Sequence, residues 1–183
     1  MAEPAYRYTY DKYDEYNEYK NYELLDGQLV GLASPSMRHG DIASNIHFIF
    51  KAFLRGKRCR AFGEHDVFLS PKDRVIPDVM VVCNRDIIKH NGVHGAPDLV
   101  VEVLSPTTAH NDRGYKMKLY ARHGVKEYWL VDPKSQTIEV YLLQEGVFPR
   151  VYTLEDAHAF KTSLFDDLVI TLADVFAEVI DYD

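Results

Sequence analysis

Cysteine is nearly absent from this sequence: Cys59 and Cys83 are the only two in 183 residues. A secreted scaffold held by disulfides carries more of them at regular spacing. A zinc cage needs further cysteine or histidine at ligand spacing, which neither residue has. The pair therefore reads as two reduced, partly buried thiols in a cytoplasmic protein. No apolar run approaches the ~18 residues of a membrane helix, so no membrane partner is expected. The start of the chain has no basic segment followed by an apolar stretch, and no signal peptide is readable. Gly, Ser and Pro never gather into a linker and no internal repeat is found. The length suits one domain. Positive charge is in deficit too. The net charge of -7 argues against a protein that simply coats nucleic acid.

What is present points to a packed α/β domain. Hydrophobic residues make up 46% and charged residues 27%, a balance that builds a core instead of a disordered chain. The acids lie at the ends. Residues 1–26 hold seven acids and three bases, residues 151–183 eight acids and one base, and the middle 17 bases and 13 acids. We divide the chain into an N-terminal arm, 1–21, with a short helix around Asp11 to Tyr19, and a single domain, 22–183. Tyr22 to Val30 reads as two strands around the Asp26-Gly27 turn. Ile42, Ile46, Ile49 and Phe53 make one apolar stripe and predict a helix over 37–54, stopped by Gly56. Residues 59–69 read as a strand, 70–74 as a turn, 78–83 as a strand and 84–97 as a loop. The run Asp98 to Leu104 is apolar on both faces, as a central buried strand should be. A helix over 111–123 ended by Gly124, strands over 127–131 and 137–143, and a helix over 173–180 complete the order. A helix that leads from a buried strand to another strand predicts a mixed central sheet flanked by helices.

One residue does not fit the central strand. Glu102 sits among Val100, Val101, Val103 and Leu104, where an unpaired carboxylate costs several kcal/mol. It needs either a basic partner from a neighbouring helix or a metal ion at the sheet edge. Asp78 has a similar setting, after Pro77 and before the apolar run Val79 to Val82. Alone it is an ordinary turn aspartate. Together, two carboxylates at adjacent strand ends can hold one divalent ion through hard oxygen ligands, with the Val103 carbonyl as a third. Lys116 lies on the helix that follows Glu102 and shares a face with Arg113 and Tyr120, so it can reach over the strand end toward the acids. Glu64 and Glu23 are weaker candidates for additional metal ligands. His39 at the start of the long helix is a candidate for positioning a phosphate. Lys51, Arg55, Lys57, Arg58 and Arg60 form a basic run that reads either as phosphate contacts or as a solvated face.

These segments together resemble the PD-(D/E)XK nucleases, and more closely a bacterial family with a restriction-endonuclease-like fold. The likeness is carried in order by Tyr22-Glu23-Leu24 with Asp26-Gly27, a helix beginning near His39, Pro77-Asp78, the run Pro97 to Pro106, Asp112 with Lys116 and Tyr120, and the run Gly124 to Pro133. It spans about Tyr22 to Leu143. One departure is plain: Leu104 stands two places after Glu102, where the superfamily motif has lysine. The resemblance implies that Lys116 supplies the amine from the helix instead. It also implies a Mg²⁺- or Mn²⁺-dependent endonuclease with DNA as partner, Asp78 and Glu102 as metal ligands, and Lys116 assisting the attacking water. Arg113, Tyr120, His39, Arg55 and Arg58 are the candidate substrate contacts. A homodimer is a fold-level expectation. A catalytically silent binding or assembly module on the same fold, and a nuclease acting on RNA, remain alternatives.

Overall fold

The computed structural model describes residues 9, 22–142, 150–153 and 159–179. The helix expected around Asp11 to Tyr19 lies outside the described residues, as do the ends expected at Leu143 and Ile180. The chain opens with β1 (Tyr22–Leu25) and β2 (Gln28–Gly31). Asp26 and Gly27 join them, both at positive φ, 49° and 77°, as a tight hairpin turn requires. Helix α1 (Met37–Phe53) follows. The Ser36 hydroxyl accepts from His39 N at 3.2 Å and caps the helix. Its buried face runs through His39, Ile42, Ile46 and Phe50. Ile49 and Phe53, expected on that stripe, are only partly buried, because Phe50 faces Trp129 and sets the centre of the packed face.

Then come β3 (Arg60–Phe62), β4 (Val67–Ser70), β5 (Asp73–Val75) and β6 (Val79–Val82). The single strand expected over 59–69 is thus two strands, and they belong to different sheets. The turn expected over 70–74 is shorter than read. Asp73 already belongs to β5, where its carboxylate takes Asp26 N at 2.9 Å and the Ser70 hydroxyl at 2.6 Å. The expected loop over 84–97 carries a hairpin, β7 (Ile88–Lys89) and β8 (Gly92–His94). Strands this short have no periodicity to read, and nonlocal pairing makes them: Val93 lies beside Val67. Gly92 is required there. Its φ is 139°, and an added Cβ would stand 2.4 Å from the Asp66 carbonyl oxygen. Gly92→Ala is expected to lower stability by about 2–3 kcal/mol. Urea denaturation checks this, and an unchanged midpoint would refute the close approach.

Strand β9 (Leu99–Val103) is buried throughout. A helix over 109–123, here α2, is built of Ala109–Asn111, a wider π-turn over Asp112–Lys116, and Met117–His123. Gly124 ends it at φ 92°. It leads to β10 (Glu127–Asp132), which runs parallel to β9, with Leu130 beside Glu102. The remaining elements are β11 (Thr137–Leu142), β12 (Arg150–Thr153), the pair β13 (Phe160–Lys161) and β14 (Val169–Ile170), and α3 (Leu172–Val175). One six-stranded sheet has the order β12-β11-β10-β9-β6-β3 and the other β2-β1-β5-β4-β8-β7. Both mix parallel and antiparallel pairs. The fold is mixed α/β, as expected, with two six-stranded sheets and one two-stranded sheet among the described residues in place of a single sheet.

Strand β9 divides the core. Leu99, Val101 and Val103 pack with Ile42, Ile46, Phe50 and Trp129 toward α1. Val100 packs on the opposite side with Leu119, Tyr120 and Tyr128. By the alternation of a strand, Glu102 points to that second side, under α2. The expectation of two reduced thiols is corrected. Arg60 pairs with Val82 in an antiparallel register, so Cys59 falls opposite Cys83. Their Cα atoms are 3.9 Å apart and the sulfurs are bridged. Two cysteines separated by 24 residues give no sign of this in sequence. Among the described residues no helix is long and apolar enough to cross a membrane.

Candidate active site

The side chains singled out from the sequence meet where β6, β9 and α2 come together. The antiparallel register of β6 on β9 places Val79 beside Val101, so Asp78 and Glu102 are the next opposed positions. Asp78 is fixed by its own scaffold. Val103 N donates to Asp78 Oδ2 at 2.7 Å, and His39 Nε2 lies 3.3 Å from the same oxygen. Burial pulls the His39 pKa down, but the hydrogen bond and charge of Asp78 outweigh it, with help from Val103 and Glu64. The imidazole is therefore held above its ordinary range and favours the charged form.

Glu102 is 4% exposed. Its Oε1 accepts from Lys116 Nζ at 3.1 Å and from the Tyr120 hydroxyl at 2.8 Å. Burial pushes the Glu102 carboxyl well above the usual range. The Lys116 charge opposes this, and the charges of Asp112, Asp78 and Glu23 add to it. Lys116 is 3% exposed and meets three carboxylates: Glu23 at 2.9 Å, Glu102 at 3.1 Å and Asp112 at 3.3 Å. One of its three donors is hydrogen-bonded to Glu102, and Glu23 and Asp112 complete the cage as ion pairs. Burial pulls its pKa down, but Glu102, Glu23 and Asp112 together hold it well above the ordinary value.

Two carboxylate oxygens remain. Asp78 Oδ1 and Glu102 Oε2 accept no hydrogen bond from any described residue. Both residues line a cleft of about 730 Å³, together with His39, Val103, Asp112 and Lys116. Five acids line that cleft against three lysines and arginines. An excess of carboxylate lining a cleft, with hard oxygens left over, is a donor set that suits Mg²⁺ or Mn²⁺. Among the described residues no three or more His, Cys, Asp or Glu side chains form a ready metal cage. The fit is to an ion that keeps much of its water.

The family model described as "Uma2: Putative restriction endonuclease" matches residues 8–173. The chain belongs to the Uma2 family. A crystal structure from Anabaena variabilis ATCC 29413, described as "a putative nuclease belonging to DUF820", superposes on this Uma2 chain with a TM-score of 0.80. It is 25% identical, and the match covers 94% of this chain and 99% of that one. The mixed α/β fold is therefore that of a nuclease-like neighbour. The Synechocystis protein slr1290, named as uncharacterised, is 34% identical over 123 residues, 65% of this chain. The match spans 64% of that relative's length.

The other expected site residues of the Uma2 chain scatter by role. Tyr120, expected against substrate, is 0% exposed with its hydroxyl on Glu102. It stands behind the carboxylate because the α2 face that carries Lys116 is turned into the core. Arg113 does line the cleft but is paired with Glu139 at 2.6 Å. Glu64 is exposed and lines the cleft. Arg55 and Arg58 are exposed and are not part of its lining. Sequence reasoning gave Asp112 no role, although its i,i+4 spacing from Lys116 was a usable signal. The sequence also makes Glu23 a metal-ligand candidate. Glu23 instead lies behind Lys116, is 2% exposed, and is not among the cleft residues.

Proposed function

We propose that the cleft hydrolyses nucleic-acid phosphodiester bonds, with DNA as the substrate and a divalent metal as cofactor. The observation that carries this reading is that Asp78 and Glu102 line one cleft, each with one oxygen that accepts no hydrogen bond from a described residue, and that a buried ammonium lies against the second carboxylate. Mg²⁺ or Mn²⁺ held by Asp78, Glu102 and the Val103 carbonyl would polarise the phosphate and lower the pKa of bound water. Glu64 is a candidate for a further ligand from the rim.

The chain's own residues have distinct tasks in this proposal. Val103 N holds Asp78 by one oxygen and leaves the other toward the cleft. Lys116 and Tyr120 do the same for Glu102. Lys116 supplies a fixed positive charge beside the carboxylates, which offsets charge that develops on the phosphate. The water-orienting role expected of it from sequence would compete with the three carboxylates that already meet its ammonium. His39 places a second positive charge at the cleft wall. Arg113 and Lys134 line the same cleft and suit neighbouring phosphates. Because acids outnumber fixed cations in the lining, a polyanion gains little by entering until a metal offsets the excess. A homodimer would bring two such sites to the two strands of a duplex.

Supercoiled plasmid, single-stranded DNA and a structured RNA, each incubated with Mg²⁺, Mn²⁺ or EDTA, test the proposal. Nicking or linearisation of the plasmid in either metal, and none in EDTA, is expected. Cleavage that survives EDTA would overturn the metal dependence. Cleavage of RNA alone would move the substrate class. No cleavage of any substrate in Mn²⁺ would leave a binding module on the nuclease fold.

A further inference from the structure

Lys116 reaches Glu102 from α2, but the helix alone does not fix its ammonium. A four-carbon stem leaves a lysine head free to swing unless something outside its own element holds it. The third contact, from β1 in the other sheet, is Glu23. Its Oε1 accepts from Ile76 N at 2.9 Å and forms an ion pair with Lys116 Nζ at 2.9 Å. The backbone bond locks the carboxylate, and the locked carboxylate makes the shortest of the three contacts to the ammonium. Glu23 is 2% exposed and does not line the cleft. It therefore cannot take the metal-ligand role that its sequence position suggested.

We infer that Glu23 is a positioning residue: it sets the place of the Lys116 ammonium against Glu102, and touches neither metal nor substrate. The inference rests on the proposed role of Lys116 in hydrolysis. It divides the ammonium's three partners by task. Glu102 is the group served. Asp112, one helical turn away at 3.3 Å, is the longest contact, and its Oδ1 has no hydrogen-bond partner among the described residues. Glu23 is the anchor that ties α2 to β1 across the two sheets. A fixed charge acts on a transition state only if it does not have to reorganise during the reaction, and the anchor supplies that rigidity.

Glu23→Gln keeps the shape and an oxygen for Ile76 N, and removes the charge that fixes Lys116. The variant is expected to lower kcat about 10- to 100-fold, the range for loss of a group that orients an active residue. KM and the calorimetric Kd for Mn²⁺ should stay within about threefold, because uniform binding is untouched. In a metal-free crystal structure of the variant the Lys116 ammonium should move by about 1 Å or more from Glu102, a displacement large enough to matter for catalysis. A double-mutant cycle completes the test. If Glu23 acts only through Lys116, Glu23→Gln/Lys116→Met loses no more kcat than Lys116→Met, to within about threefold. That double variant drops one ammonium and one carboxylate, so it remains informative if Glu23→Gln alone fails to fold. An unchanged kcat, a Mn²⁺ Kd weakened more than about tenfold, or multiplicative losses in the double variant would each overturn the assignment. Should the wild type cleave nothing, the proposed function falls, while the metal-free displacement of Lys116 still decides the anchoring role.

Discussion

Glu102→Gln is expected to remove metal-dependent cleavage by about 10³-fold or more, the scale of losing one charged group aimed at a reacting centre, while leaving the fold at least as stable as before. The two halves of that expectation have one cause. Glutamine keeps an oxygen where Oε1 now accepts from the Tyr120 hydroxyl and Lys116. It puts an NH₂ in place of the unengaged Oε2, and an N–H donor cannot ligate a hard cation. Burial already disfavours the charged carboxylate and pushes its pKa up, so a neutral side chain relieves the core. Lys116 is not stranded, because Glu23 and Asp112 still meet it. Activity and stability therefore move in opposite directions, as they do where a site holds a charge the fold alone would not choose. Cleavage of a fluorescent duplex in Mn²⁺ reads the first half and thermal unfolding in EDTA the second. Activity within about tenfold of wild type would remove Glu102 from the chemistry, and a large fall in melting temperature would mean that its charge serves stability first.

The legible parts of this molecule are those where sequence and burial conflict. Glu102 announced itself as an acid inside an apolar strand, and the central strand, the α2 helix and its Gly124 stop follow from local pattern alone. The long helix was equally readable, although its packed centre sits on Phe50 and not on Phe53. Illegible were features made by distant pairing. Strands β7 and β8 have two and three residues, too few for alternation to show. The split of 59–69 between two sheets depends on partners elsewhere in the chain. The Cys59–Cys83 bridge follows from strand register, which nothing near either cysteine encodes. For the candidate site, the sequence offered Asp78, Glu102 and Lys116, and the geometry brings them to one cleft. It did not offer the burial of Lys116, because a helix lysine reads as solvated. Glu23 carried the same signal as Glu102, an acid among strand residues, in a segment too short to make the conflict visible.

Lys116→Met should be the costliest single change for the metal-free fold, at about 3–5 kcal/mol near neutral pH, the range for breaking a buried ion pair from one side. Glu23, Glu102 and Asp112 would be left as buried carboxylates with their shared cation gone. A total stability of about 10 kcal/mol, the middle of the usual range, leaves the variant folded in buffer. The sign of its pH dependence follows from the shifts. In the wild type the Lys116 pKa is raised by its three carboxylates despite burial. Its stabilisation is therefore complete below the unfolded lysine value of about 10.4 and is lost as pH rises through the folded value. Glu102 is also raised, by burial first. Its carboxyl favours folding when protonated, below the unfolded value of about 4.3, and this contribution fades as pH rises toward the folded value. Removing Lys116 takes away the main charge that lowers the Glu102 pKa, so protonation of Glu102 rescues the variant more than the wild type. The deficit of Lys116→Met is thus expected to shrink as pH falls from about 8 to about 5, a span above the ordinary carboxylate range. Urea denaturation of both proteins in EDTA at three pH values in that span measures it. A deficit below about 1 kcal/mol at the highest pH would mean that the carboxylates have found water or another cation. A deficit that does not change with pH would mean that Glu102 is not the group that takes up the proton.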